Sequence, residues 1–313
     1  MRGSLHLFPS DELPAWVAAL RVKEATARRT KGWEDYHGVT VAQLAAITEA
    51  VGGIVGRDPM TRAELSDAVA VATGDPALGR AVQTGFGGTI LKSAAANGGL
   101  CFGPDRGRNV TFVDPKQWLG GPWDEPEAGA ALALVVQRFL EAYGPATEAD
   151  FARWWGVPTA QGRRVLRAHL HDLVPIELGD DPARPTPTAA TAWMTERAAA
   201  VLAAATPLDG HVRLLPAFDT YVLAPHGHRR HAWPDGLHDR ISRPAGWISP
   251  VLLVDGRVAG VWSHASSGAG FRIVVEPFSS PALGTRAAAE AHAATYEPLL
   301  GGPVEVAWTE PAT

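Results

Sequence analysis

TRAELSDAVAVATGDPALGRAVQTGFGGTILKSAAANGGLCFGPDRGRNVTFV, residues 61–113, reads as helix, helix and hairpin in that order. Thr61 and Glu64 match a capping box, and Leu65, Ala68 and Val69 form the stripe behind it. The spacing of Leu78, Val82, Phe86, Ile90 and Leu91 predicts a second helix over 77–96. Asn97-Gly98-Gly99 stops it, because glycine takes up the positive φ that ends helices. Leu100–Phe102 and Asn109–Val113 then read as strands around the turn Gly103-Pro104-Asp105-Arg106-Gly107. This is the outline of a winged helix with the hairpin as its wing.

Upstream, SLHLF (4–8) alternates Leu5 and Leu7 against Ser4 and His6, which predicts a strand, one with nothing before it to pair with. A helix follows from Ser10, with Asp11 and Glu12 in its first turn and Leu13, Trp16, Val17 and Leu20 at helical spacing. Another starts at Thr40, boxed with Gln43, with the stripe Leu44, Ile47, Val51 and Ile54. Downstream the pattern recurs. A helix over 127–143 ends at Gly144-Pro145, and Thr147 and Asp150 open a short helix with Phe151 and Trp154. Gly156 makes the turn, and Pro158 fits the first position of a longer helix carrying Val165, Leu166 and Leu170. Two helices about a tight glycine turn make a helix-turn-helix, and Leu173–Leu178 is the strand after it. Residues 179–190, GDDPARPTPTAA, read as a linker or a long wing loop.

After an Ala-rich helix near 195–205 the pattern turns to strands: VRLLPAFDTYVLA, GWISPVLLVDGRVAGVWSH with Asp255-Gly256 as a hairpin turn, and FRIVVEPF. A helix near 284–298 and the strand VEVAW close the chain. The expected fold class is α+β, with tandem winged helix-turn-helix units followed by a small β-rich domain. The expected division is 1–58, 59–120, 121–190 and 191–313, the first piece being a remnant of a winged-helix unit with its connecting helices.

The chain has 313 residues, 46% of them hydrophobic, enough for more than one core. Its single cysteine, Cys101, excludes a disulfide framework and a cysteine-based zinc site. No apolar run has the length of a membrane span and the N-terminus lacks signal-peptide anatomy, so a cytoplasmic protein is expected. The net charge of −5 leaves local basic patches open. Residues 124–150 carry six acids against Arg138 alone, whereas 151–171 carry Arg153, Arg163, Arg164 and Arg167 with no acid. On charge alone these are either two solvated faces or a basic binding face. Gly85-Phe86-Gly87-Gly88 lies in a helical stretch and follows no strand, so no nucleotide cofactor is expected.

MRGSLHL (1–7), LCFGPDRGRNVTFV (100–113), YGPATEADFARWWGVP (143–158), LLPAFDTYVLA (214–224) and GWISPVLLVDGRVAGVW (246–262) resemble the AlkZ/YcaQ-type DNA glycosylases, in the same order along nearly the whole chain. The resemblance implies tandem winged helices around a concave DNA-binding face, a β-rich C-terminal domain, and removal of bulky alkylated bases or unhooking of interstrand crosslinks. A cationic alkylated base leaves without a general acid, so such an enzyme must position a water and stabilise the developing sugar cation. In the family a pair of polar residues, usually glutamines one apolar residue apart, does this from a segment before the RGSLHL-like strand. Here that strand opens the chain, and Gln43, Gln83, Gln117, Gln137 and Gln161 include no such pair. No catalytic residue is therefore assigned. The expectation is that the catalytic segment is missing, either because the start is an internal methionine or because this is a shortened paralogue. The function expected is that of a DNA-binding relative of the glycosylases, inactive in this form; the alternative is a non-catalytic regulator or lesion-shielding protein. Double-stranded DNA is the expected partner.

The candidate DNA contacts are Arg106 and Arg108 in the wing turn, with Lys116 just beyond, and Arg163, Arg164 and Arg167 on the second helix of the helix-turn-helix. Arg2 and His6 share one side of the opening strand; His6 fits a structural role equally well. Asp219 and Tyr221 alternate onto one strand face, which reads as a carboxylate bonded to backbone. His226, His228, His231 and His238, with the arginines among them, complete no standard ligand set and read as a flexible basic loop, so no metal is assigned. Of Trp154 and Trp155, at least one belongs to a core.

Overall fold

The structure, a computed structural model, describes residues 6–177, 191–224, 226–267 and 270–311. They form two compact units, one of residues up to Ala142 together with Phe151–Asp172, the other of Tyr143–Asp150 together with the chain from Leu173 on.

The first unit opens with α1 (Leu13–Ala25), α2 (Lys31–His37) and α3 (Val41–Ile54). Thr40 and Gln43 cap α3 reciprocally, as their spacing requires. Ser4 and Leu5 of the expected opening strand lie outside the described residues; of the rest, His6–Pro9 has no strand pairing, and Leu7 is fully exposed. Pro9 has no N–H for a ladder, and the segment is held instead by Phe8, whose ring lies 4.7 Å from Trp16. Helix α2 has no fully buried residue and therefore no stripe to read; the Arg29 guanidinium over Trp33 and the Trp33–His37 ring contact hold it.

Next come β1 (Met60–Thr61), α4 (Arg62–Thr73), α5 (Pro76–Thr84), a 3₁₀ segment (Phe86–Leu91) and α6 (Lys92–Ala96). The single helix expected over 77–96 is broken at Gly85. Three glycines among residues 85–88 each cost about 1 kcal/mol in a helix relative to alanine, and the chain leaves helical geometry there. β2 (Cys101–Arg106) and β3 (Asn109–Val113) form the hairpin, and β1 adds to β3, giving the sheet order β1-β3-β2. Ile47, Val51, Leu65, Val69, Val82, Ile90 and Phe112 share one core behind this sheet.

α7 (Pro115–Leu119) and α8 (Ala128–Tyr143) lead to α9 (Glu148–Trp155) and α10 (Thr159–Arg167). Pro158 stands one residue before α10 with an extended ψ, not inside it, because its ring fixes φ but the chain has yet to turn helical. The helix is nine residues long, and Leu170 lies beyond it in a 3₁₀ turn.

Arg138 on α8 donates to Glu12 and to Glu141. Its hydrogen bonds hold the Glu12 carboxyl below its ordinary value of 4.5, against the opposing effect of burial. A depressed native carboxylate contributes stability that is fully present above the unfolded pKa and is lost as pH falls through the native one. Arg138→Met should therefore lose stability at neutral pH and show a flatter decline on acidification. Denaturant midpoints at about pH 7 and about pH 3 check this; parallel losses in both proteins would contradict it.

The second unit begins with β4 (Leu173–Glu177) and β5 (Thr191–Thr195), antiparallel from Leu173↔Thr195 to Glu177↔Thr191, followed by α11 (Glu196–Ala203). The segment expected to be a linker or wing loop, 179–190, lies outside the described residues. β6 (Val212–Leu215) is the only strand in VRLLPAFDTYVLA. Pro216 interrupts the ladder and Phe218 takes φ 60°, so Asp219 and Tyr221 lie in a turn, not on a strand face. The carboxylate does bond to backbone: Asp219 Oδ1 accepts from the Tyr221 N–H at 2.8 Å.

The histidine run is helical, not a loop: α12 (His226–Ala232) and α13 (His238–Ile241), with Trp233 and Ile241 buried in the core. Among the described residues no three His, Cys, Asp or Glu side chains converge to hold a metal. β7 (Ser242–Arg243) pairs with β8 (Trp247–Ile248). β9 (Val251–Val254), β10 (Arg257–Ser267), β11 (Gly270–Pro277), α14 (Thr285–Ala294), α15 (Glu297–Leu300) and β12 (Val304–Trp308) complete the chain. The main sheet runs β12-β11-β10-β9-β6, antiparallel except for β11 with β12. Strand β9 is apolar on both faces: Leu252 packs in a core with Ala289 and Ala293 of α14, while Val251 and Leu253 pack with Trp233 and Ile241. Asp255-Gly256 makes the expected turn, both residues at positive φ.

Candidate nucleic-acid interface

In the first unit, α10 presents its cations because its opposite side is locked. Gly162 is buried, and a Cβ built there would stand 2.4 Å from the Ala152 Cβ and 2.6 Å from its Cα. Only glycine lets α10 approach α9 so closely. Leu166, one turn on, is fully buried with Phe151 and Trp155. With that stripe turned inward, Arg163, Arg164 and Arg167 are all exposed. Arg164 and Arg167 also stand in the last turn, where cations favour the helix dipole. Trp155 is core; Trp154 is half-buried, its ring 4.9 Å from Phe139, so neither ring lies open to a base.

Two contacts extend this surface beyond what spacing could suggest. Gln161 Nε2 donates to Thr26 Oγ1 at 2.8 Å, setting the start of α10 against the end of α1. Lys23, in the last turn of α1, has its Nζ 5.2 Å from the centre of the Trp155 ring. Burial and the nearby Lys92 lower its pKa, with Glu24 opposing. Lys23 carries no motif that would have marked it.

The two arginines expected in the wing turn, both in the β2–β3 hairpin, differ from one another. Arg106 donates to Glu64 at 2.7 Å and to the Pro59 carbonyl, folding back onto its own unit. The same carboxylate accepts from the Thr61 N–H and hydroxyl, and these bonds, with Arg106, hold its pKa down. Arg108 is exposed beyond the tight turn, and among the described residues it has no ion pair. Lys116 lies 4.0 Å from Glu125 and over the Trp123 ring, and Glu125 is bound more closely by Arg21 at 2.5 Å. His6 is exposed and stacks on Phe8. Arg2 lies outside the described residues. Burial pushes the Cys101 thiol up to about 11, which disfavours its thiolate form.

Four of the five glutamines have structural partners: Gln43 in the α3 cap, Gln117 on Asp114, Gln137 on Glu141 and Gln161 on Thr26.

The profile of the DNA glycosylase AlkZ-like family matches residues 1–299. The chain belongs to that family. The interstrand DNA cross-link repair glycosylase of Streptomyces sahachiroi is 33% identical over 279 residues, which cover 89% of this chain and 71% of that protein. The solved structure of the Streptomyces sahachiroi DNA glycosylase AlkZ superposes with a TM-score of 0.82 at 30% identity, covering 99% of this chain and 80% of that one. The α+β class expected from the sequence is thus that of an AlkZ-like protein. No helix among the described residues is long and apolar enough to cross a membrane.

Proposed function

We propose that this AlkZ-like protein binds duplex DNA through α10 and the β2–β3 hairpin, and that residues 1–313 supply binding without base excision. The observation that carries the reading is the exposed row Arg163, Arg164 and Arg167 on a helix whose other side Gly162 fixes. Such a row neutralises phosphates and positions a protein on DNA without reading sequence. The β1-β3-β2 sheet with α4 and α5 supports a winged-helix unit at 59–120, and α9 with α10 supports the helix-turn-helix of a further one within 121–190. The β-rich domain is 191–313, and the cytoplasm is the compartment such a protein would work in. The cross-link repair activity of the Streptomyces relative supports alkylated or crosslinked duplex as the target class. A second reading, a lesion-shielding protein without chemistry of its own, draws support from Gln43, Gln117, Gln137 and Gln161, which are committed to caps and helix contacts.

Duplex affinity measured by fluorescence anisotropy across salt concentrations tests the proposal. The logarithm of the binding constant should fall linearly with that of salt. Arg108→Glu should weaken binding about threefold to tenfold for all sequences alike. Salt-independent binding, or none, would defeat the duplex reading. Incubation with an alkylated duplex should release no free base. Release above the spontaneous rate would show a catalytic group outside the glutamine pattern.

A further inference from the structure

We propose that the second unit carries a stacking platform for the bases of unpaired DNA, built from Phe218, Tyr221 and Trp247, with Arg243 and Arg257 to meet the phosphates. The inference rests on the DNA-binding reading above and adds a strand class and a site to it.

Three large aromatic side chains of this unit stand open to solvent: Phe218 is 43% exposed, Tyr221 44% and Trp247 50%. None of them belongs to the apolar cores on either side of β9, which take Trp233 and Trp262 instead. Phe218 and Trp247 meet edge to face, with centroids 4.9 Å apart and planes at 78°, an arrangement that holds the rings without covering both of their faces. Phe218 holds φ at 60°, a conformation that burdens any residue with a Cβ and that collects where function maintains it. Glycine would relieve the backbone; a phenylalanine there supplies a ring.

The cations follow from strand register. Arg243 and Trp247 are directly opposite in the β7–β8 pair, so their side chains leave on the same face, and Arg243 is exposed. The Tyr221 hydroxyl donates to the Gly256 carbonyl at 2.6 Å, which ties that ring to the turn before the exposed Arg257. Two carboxylates lie near, and backbone N–H groups engage both: Asp219 accepts from Tyr221 at 2.8 Å and Asp255 from His211 at 2.7 Å. Ring faces with guanidinium groups beside them suit a chain of bases and phosphates. A duplex hides its base faces, so the occupant is an unpaired strand, of the kind a flipped base or a crosslink under repair exposes.

The experiment uses the full chain with a labelled oligothymidylate of about 12 nucleotides and a duplex of the same length. Wild type should bind both. Trp247→Ala and Phe218→Gly should each weaken binding of the single strand roughly tenfold, leave duplex affinity unchanged, and keep the wild-type circular dichroism. Phe218→Gly removes the ring while easing the backbone, so its loss of binding cannot be laid to misfolding; Trp247→Phe should restore most of the affinity that Trp247→Ala loses. If wild type binds duplex but no single strand, or if both variants keep single-strand affinity, the platform is refuted. Equal losses on both substrates refute it too, assigning the patch to the duplex. Failure of wild type to bind any DNA sinks both readings, and binding of the single strand without the duplex sinks the duplex reading alone.

Discussion

Exchanging Arg163, Arg164 and Arg167 together for glutamate should weaken duplex binding roughly a hundredfold at moderate salt, and should flatten the salt dependence by about 2.7 logarithmic units per decade. Each arginine that neutralises a phosphate releases a counterion, and the three are exposed side by side on one nine-residue helix. The fold should survive, since the residues that hold α10, Gly162 and Leu166, are on the other side and remain. Thermal unfolding of the triple variant separates the two effects. If affinity fell only in step with lost stability, or if the salt slope kept its wild-type value, α10 would not be the contacting element. The single change Arg106→Glu makes a contrasting case, because it also strips Glu64 of its partner and sets two anions together.

Gly162→Leu should destabilise the first unit by about 3 kcal/mol, lowering the unfolding midpoint by roughly 6–12 °C. Even the Cβ of alanine would overlap backbone and side chain of Ala152, and backbone cannot swing aside as the end of a flexible side chain can. The remaining bulk of leucine must then part α10 from α9, opening the layer that buries Leu166, Phe151 and Trp155. Gly162→Ala should show the same change in smaller measure. Duplex affinity should fall in both although every arginine is retained, because α10 is displaced from its seat on α9 while the number of its cations is unchanged. Differential scanning calorimetry with anisotropy on the same preparations provides the check, and an unaltered midpoint for Gly162→Leu would show that the helices meet elsewhere.

The caps were legible because they are local: Thr40 with Gln43, Thr61 with Glu64 and Thr147 with Asp150 each close over three residues, and the side-chain types suffice. The hairpin at 101–113 and the turn at Asp255-Gly256 were legible for the same reason. Strand alternation misled over His6–Phe8 and in FDTY, where proline and a left-handed Phe218 override an apolar rhythm. The helix across Gly85 was misread because apolar spacing continues through a run of glycines that the backbone does not follow. What spacing could not contain are the long-range pairings of the candidate interface. Gln161 finds Thr26 across 135 residues, and Arg106 finds Glu64 across 42. Both wing arginines looked alike in the sequence; only the tertiary partner separates one from the other.

Glu64 has a consequence for how polyanions in general meet the β2–β3 hairpin. Its carboxylate already occupies Arg106 much as a phosphate oxygen would, so an arriving polymer must evict a resident competitor and gains only the difference between two charge-assisted bonds. The eviction also takes from Glu64 one of the charges that stabilise its ionised form while it caps α4. The hairpin is thereby insulated at Arg106 from casual capture by a negatively charged chain, whereas Arg108, exposed and without an ion pair among the described residues, has no such competitor.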